Sequence, residues 1–127
     1  MFSEAKIVAG SYRDLIAWQK AMVLVKEIYL ATRDFSKEEI YGLKTQLRRA
    51  AVSVPSNIAE GQARYSRSEF QHFLNHARGS LAEVETQIIL AGDLGYLGAK
   101  EAGILLEKSS ELGRILNGLI AATKSAA

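Results

Sequence analysis

The chain has 127 residues, 48% of them hydrophobic and 24% charged, with no cysteine and a formal net charge of +2. That length makes one domain, able to bury about two thirds of the surface its unfolded chain exposes, and the composition excludes a disordered polypeptide, a disulfide scaffold and any thiolate chemistry. So small a charge does not by itself imply nucleic acid, nor does any stretch approach the ~20 apolar residues of a membrane-spanning helix.

Apolar spacing and stop signals predict four helices and no strands. The first covers about residues 14–33, with Leu15, Trp18, Met22, Val25 and Tyr29 spaced 3,4,3,4 and Ser11 as the expected N-cap. The second is expected to start after Ser36, where Glu39 would complete a capping box, and to carry Ile40, Leu43, Leu47, Ala50, Val54 and Ile58. Pro55, the only proline, falls inside it. Its ring removes one hydrogen bond and clashes with the Ala51 carbonyl, at a cost of about 3 kcal/mol unless the helix kinks; Ser56 and Asn57 are suited to donate to the carbonyls so freed. The third helix begins at the capping box Ser66–Glu69 and buries Phe70, Leu74, Ala77, Leu81, Val84, Ile88 and Ala91 before the glycines of GDLGYLG end it. The fourth, about 100–123, uses Leu105, Leu112, Leu116 and Leu119, and the KSAA tail is expected to fray. The economical arrangement is an all-α, antiparallel up-down-up-down four-helix bundle in one domain spanning 1–127, with an ordered core over about 12–123 and a kink near Pro55.

Stepping 100° per residue puts Ile16, Val23 and Leu30 on a second apolar stripe of the first helix, with Leu24 and Ile28 on yet another side. Ile89 and Leu90 likewise point away from the core face of the third. Single exposed apolar residues are common, but stripes on two helices point to burial against another subunit.

Polar residues form stripes too. Arg49, Ser53, Ser56, Asn57 and Glu60 share one side of the second helix, and Glu69, His72, His76, Ser80, Glu83 and Gln87 one side of the third. The expectation is a network through Asn57, Glu60 and Glu83 that fixes register; a shared binding surface is the alternative. His72 and His76 stand at the i, i+4 spacing of helical metal ligands, yet HFLNH lacks the glutamate of a zinc protease, and the Glu69–His72 EFQH motif has no second copy to build a di-iron centre. No nucleophile signature or phosphate-cradling loop occurs, so neither enzymatic activity nor a cofactor is expected.

Positive charge is concentrated between residues 44 and 78, where Lys44, Arg48, Arg49, Arg64, Arg67 and Arg78 face only Glu60 and Glu69. Grouped near the junction of the second and third helices with Tyr65, His72 and His76, they could hold phosphates and stack a base of RNA or DNA. They could equally form a solvated face with internal ion pairs at Arg64 or Arg67. The function expected from the sequence is a non-enzymatic homo-oligomer that binds RNA or another nucleic acid through these residues, and the alternative is a pure protein-protein scaffold.

The segments DLIAWQKAMVL, LRRAAVSVPSNIAEG and SRSEFQHFLNHARGSLAEVETQ resemble the four-helix-bundle proteins encoded by intervening sequences within bacterial 23S rRNA genes. The resemblance runs from about Tyr12 to Ile120. It implies a bacterial cytoplasmic protein that assembles as a ring-like homopentamer, and brings no established biochemical activity. A related group resembles the accessory proteins of diversity-generating retroelements, basic pentamers that bind a reverse transcriptase and nucleic acid; this chain departs from them in its slight charge. The lack of cysteine, and an N-terminus whose Glu4 and Asp14 interrupt any apolar run, agree with a cytoplasmic location.

Overall fold

The computed structural model describes residues 10–39 and 41–125. Among them are four α-helices and no strand: α1 Ile16–Thr32, α2 Leu43–Ala63, α3 Arg67–Asp93 and α4 Ala99–Ser125. Short 3-10 turns at Tyr12–Asp14 and Lys37–Glu39 precede α1 and α2.

Each start has a local cause. Ser11 Oγ accepts from the Arg13 amide, and the Asp14 carboxylate accepts from the Ser11 amide in return, so the expected cap exists but closes the 3-10 turn rather than α1 itself. The second helix begins later than expected, at Leu43, because the segment after Ser36 closes as a 3-10 turn. Glu39 still caps, but from outside the helix: its carboxylate accepts from the Leu43 amide at 3.0 Å. That carboxylate lies 3.5 Å from the Tyr96 hydroxyl and, above all other causes, holds the phenol's pKa above its ordinary value. Ile40, expected in the second helix, lies outside the described residues. Ser66 caps α3 by accepting from the Glu69 amide at 3.0 Å. At the other end of α3, Gly95 takes φ +83, a left-handed conformation in which glycine meets no Cβ penalty, while the Tyr96 and Leu97 amides turn back onto the Ala91 carbonyl. The fourth helix runs on to Ser125, beyond its expected end.

Consecutive helices pack on one another and α1 packs on α4, closing the bundle around Ile28, Leu47, Ile58, Phe70, Leu74, Ile88, Leu112 and Leu116. Polar contacts mark each seam. Ser53 meets Ser80 between α2 and α3, Arg78 meets Asn117 between α3 and α4, and α1 meets α4 through Lys20 with Glu111 and Glu27 with Lys108.

The buried face of α1 differs from the expected one. Ala17, Ala21, Leu24, Ile28 and Thr32 are buried, while Leu15, Trp18, Met22 and Val25 are half-buried and Tyr29 is exposed. Alanines at 17 and 21 let α1 approach its neighbours closely, and the bulkier side chains roof the edge of the bundle. Large residues alone therefore pointed to the edge of the buried stripe and not to its centre.

Candidate functional site

The six basic residues do not gather at the junction of α2 and α3. Lys44, Arg48 and Arg49 lie in the first turns of α2, whereas Arg64 and Arg67 flank its far end; at 1.5 Å per residue, the fifteen steps from Arg49 to Arg64 span about 22 Å. Arg78 stands partway along α3 on the side facing α4.

Most of these cations have protein partners. The Arg48 guanidinium donates to Thr32 Oγ1 at 2.9 Å and to the Tyr29 carbonyl at 3.0 Å, and lies 4.3 Å from the centre of the Tyr29 ring. Arg64 pairs with Glu60 at 2.8 Å and lies 3.7 Å from Glu69, with its guanidinium over the Phe73 ring. Arg78 donates to Asn75 and Asn117. Arg67 is half-buried in the first turn of α3, and Arg49 is exposed. Tyr65 is fully exposed in the α2–α3 link, and the exposed imidazoles of His72 and His76 meet edge to face, 4.5 Å between centres. No group of three or more His, Asp or Glu side chains is placed to hold a metal ion among the described residues.

The polar stripes meet in part. Asn57 donates to the Ser53 carbonyl at 2.8 Å and to Ser53 Oγ at 2.9 Å, and Ser53 Oγ lies 2.8 Å from Ser80 Oγ on α3. Asn57 thus orients the Ser53 hydroxyl, which meets Ser80 of α3 two residues before Pro55. Its target is Ser53 and not Ala51, the carbonyl that Pro55 leaves without a helical donor. Glu60 belongs to the Arg64 pair instead, and Glu83 shares a shallow hollow with Arg49, Ser53 and Ser80. Removing the Asn57 amide deletes two hydrogen bonds, so Asn57→Ala is expected to destabilise the fold by about 1 kcal/mol. A lowered melting temperature with unaltered solution mass is the expected result; an unchanged melting temperature would remove Asn57 from the structural network.

An open groove runs between α1 and α2. It encloses about 670 Å³ and is lined by Val25, Lys26, Tyr29, Leu30, Arg33, Arg48 and Val52, with no carboxylate among them. A second hollow continues it past Tyr29, Arg48 and Val52 to Arg49. Its floor is apolar and its rim cationic. Sequence reasoning missed Lys26 and Arg33, although their spacing around Tyr29 and Leu30 places all four on one side of α1.

Of the apolar residues set away from the expected core faces, Leu24 and Ile28 are buried and the other five are outside. Ile16, Val23 and Leu30 are 61%, 48% and 61% exposed, and Ile89 and Leu90 are 50% and 45% exposed. Leu30 joins the α1 stripe to the groove. Beyond α1, Ile89 and Leu90 stand on the outer side of α3, flanked by exposed Thr86 and Asp93. Both helices therefore expose large apolar side chains on a bundle that already buries a core of its own.

Comparison with known proteins agrees with this fold. A crystal structure of a protein of unknown function from the S23 ribosomal protein family of Bacteroides thetaiotaomicron matches with a TM-score of 0.75 and 21% identity, covering 83% of this chain and 98% of that one. No curated protein matches. The family model described as 23S rRNA-intervening sequence protein matches residues 13–118. With α1, α2, α3, most of α4 and the PSNIAEG segment inside that span, the chain belongs to the 23S rRNA-intervening sequence protein family.

Proposed function

We infer that this protein is a non-enzymatic interaction scaffold, an up-down-up-down bundle kinked at Pro55 that works as a ring-like homo-oligomer in the bacterial cytoplasm. The observation that carries this reading is the pair of exposed apolar faces, Ile16, Val23 and Leu30 on α1 and Ile89 and Leu90 on α3. Exposed apolar area of that kind is removed from water by association. The order of contacts along the seams supports the connectivity: Gly61 lies against Phe70 and Phe73 while Ser53 lies against Ser80. Five subunits is the number the family resemblance implies.

Nucleic-acid binding is the second reading, favoured by the cations Lys26 and Arg33 on the rim of a groove lined by no carboxylate and by Arg49 in the hollow that continues it. Repetition around a ring would multiply such a weak site by avidity. Lys44, Arg48, Arg64, Arg67 and Arg78 would then add contacts at separate points of the assembly, and a protein partner would dock on the ring in the first reading.

The experiment is sedimentation of the purified protein, with RNA and single-stranded DNA binding measured beside it from about 50 to 200 mM salt. A stable multimer that ignores nucleic acid is the expected result. A monomer at every concentration would overturn the scaffold reading. Binding that falls steeply with salt and is lost in Lys26→Ala/Arg49→Ala would establish the second.

A further inference from the structure

We propose that the cation-rimmed groove between α1 and α2 of one copy receives the outer face of α3 around Ile89 and Leu90 of a second copy. This rests on the homo-oligomer reading and specifies which two surfaces meet.

Complementarity of shape and charge carries the proposal. The groove presents Val25, Tyr29, Leu30 and Val52 between Lys26, Arg33 and Arg48, and no carboxylate lines it. Residues 79–98 hold no Lys or Arg but contain Glu83, Glu85 and Asp93. Their exposed apolar pair thus lies on the part of α3 beyond Arg78, whose charged side chains are all negative, as the cations that line the groove are unaccompanied by carboxylates. A helix laid in an apolar groove is held by residues three and four apart, and Thr86, Ile89, Leu90 and Asp93 have that spacing. Like would repel like if groove met groove or α3 met α3, because each contact would bring charges of one sign together. Opposite charges select the groove-to-α3 pairing instead.

The consequence is geometric. Groove and α3 face are different surfaces, so the contact is heterologous: every open assembly still offers one free groove at one end and one free α3 face at the other, and association goes on until a ring closes. The Lys26 and Arg33 side chains are exposed and make no hydrogen bond or ion pair among the described residues, which leaves their charges available to a second copy.

The test uses two variants of the full chain. Lys26→Glu/Arg33→Glu spoils the groove and leaves the α3 face intact; Leu90→Lys/Asp93→Lys spoils the face and leaves the groove intact. All four positions are exposed, and circular dichroism with a melting curve verifies that each variant folds. Each alone is expected to sediment as a 13.9 kDa monomer. Mixed in equal amounts they are expected to form a species of twice that mass and nothing larger, because the mixture holds one competent groove and one competent face per pair. A multimeric wild type whose variants keep their mass overturns the proposal while leaving the homo-oligomer reading intact, and a monomeric wild type overturns both. Monomeric variants that fail to pair when mixed also overturn it. So does a groove variant that keeps its mass and loses RNA, since the groove would then hold nucleic acid.

Discussion

Gly61→Val should destabilise the protein by about 3 kcal/mol, lowering the melting temperature by roughly 10 °C. A Cβ at this position would stand 2.7 Å from Phe73 Cβ, 3.0 Å from Phe70 Cδ1 and 3.3 Å from the Phe70 carbonyl oxygen. Phe73 Cβ and the Phe70 carbonyl are fixed to the backbone of α3, so no side-chain rotation relieves the overlap, and α2 would have to move off α3 near their link. Gly61→Ala separates the two forces at work. Alanine is worth up to about 1 kcal/mol over glycine inside a helix, so a close-packing role makes it destabilising despite that gain. Thermal melts of the wild type and both variants decide the matter: an alanine variant as stable as the wild type or more so would show that the helices are free to separate there.

Arg48→Ala is expected to cost about 2–3 kcal/mol, although the sequence suggested a phosphate contact at this residue. α1 ends at Thr32, and its last carbonyls have no helical donor. Arg48, reaching across from α2, donates to the Tyr29 carbonyl among them and places its positive charge at the negative end of the α1 dipole. Its Nε donates to the hydroxyl of Thr32, which is fully buried and itself donates to the Ile28 carbonyl. The guanidinium thus closes one helix from the next, and hydrogen bonds with a charged donor are worth about 1.5–3 kcal/mol. Arg48→Lys retains the charge but not the planar fork, so it should recover only part of the loss. Urea unfolding of the three proteins gives the ranking. If Arg48→Ala unfolds at the same urea concentration as the wild type, the residue is no helix pin.

Arg48 marks where sequence reasoning stopped, and α3 where it held. A buried face of α3 recurring from Phe70 to Ala91 was legible because every position in the stripe is apolar and the period repeats over six turns. The Ser66 cap was legible because its geometry is local. α1 misled because its buried stripe includes Ala17, Ala21 and Thr32, small or polar residues that a count of large side chains passes over. The start of α2 misled because the same Ser36–Glu39 pattern that opens a helix also suits a 3-10 turn, and Glu39 could reach Leu43 from there. The basic residues were placed together because they are near in sequence, whereas a helix carries Arg49 and Arg64 to opposite ends of its length.

By itself the amino-acid order determined that the protein is helical, where α3 begins, and that Ile16, Val23, Leu30, Ile89 and Leu90 would remain outside. Those features depend on period and capping, interactions that reach no further than about four residues. Only the tertiary structure decided which side of α1 is buried, that Arg48 closes α1, and that Lys26 and Arg33 rim an apolar groove with Val52 of α2. Each of these joins residues from separate helices, and the pairing is set by how closely the helices approach, which the small side chains at Ala17, Ala21 and Gly61 permit.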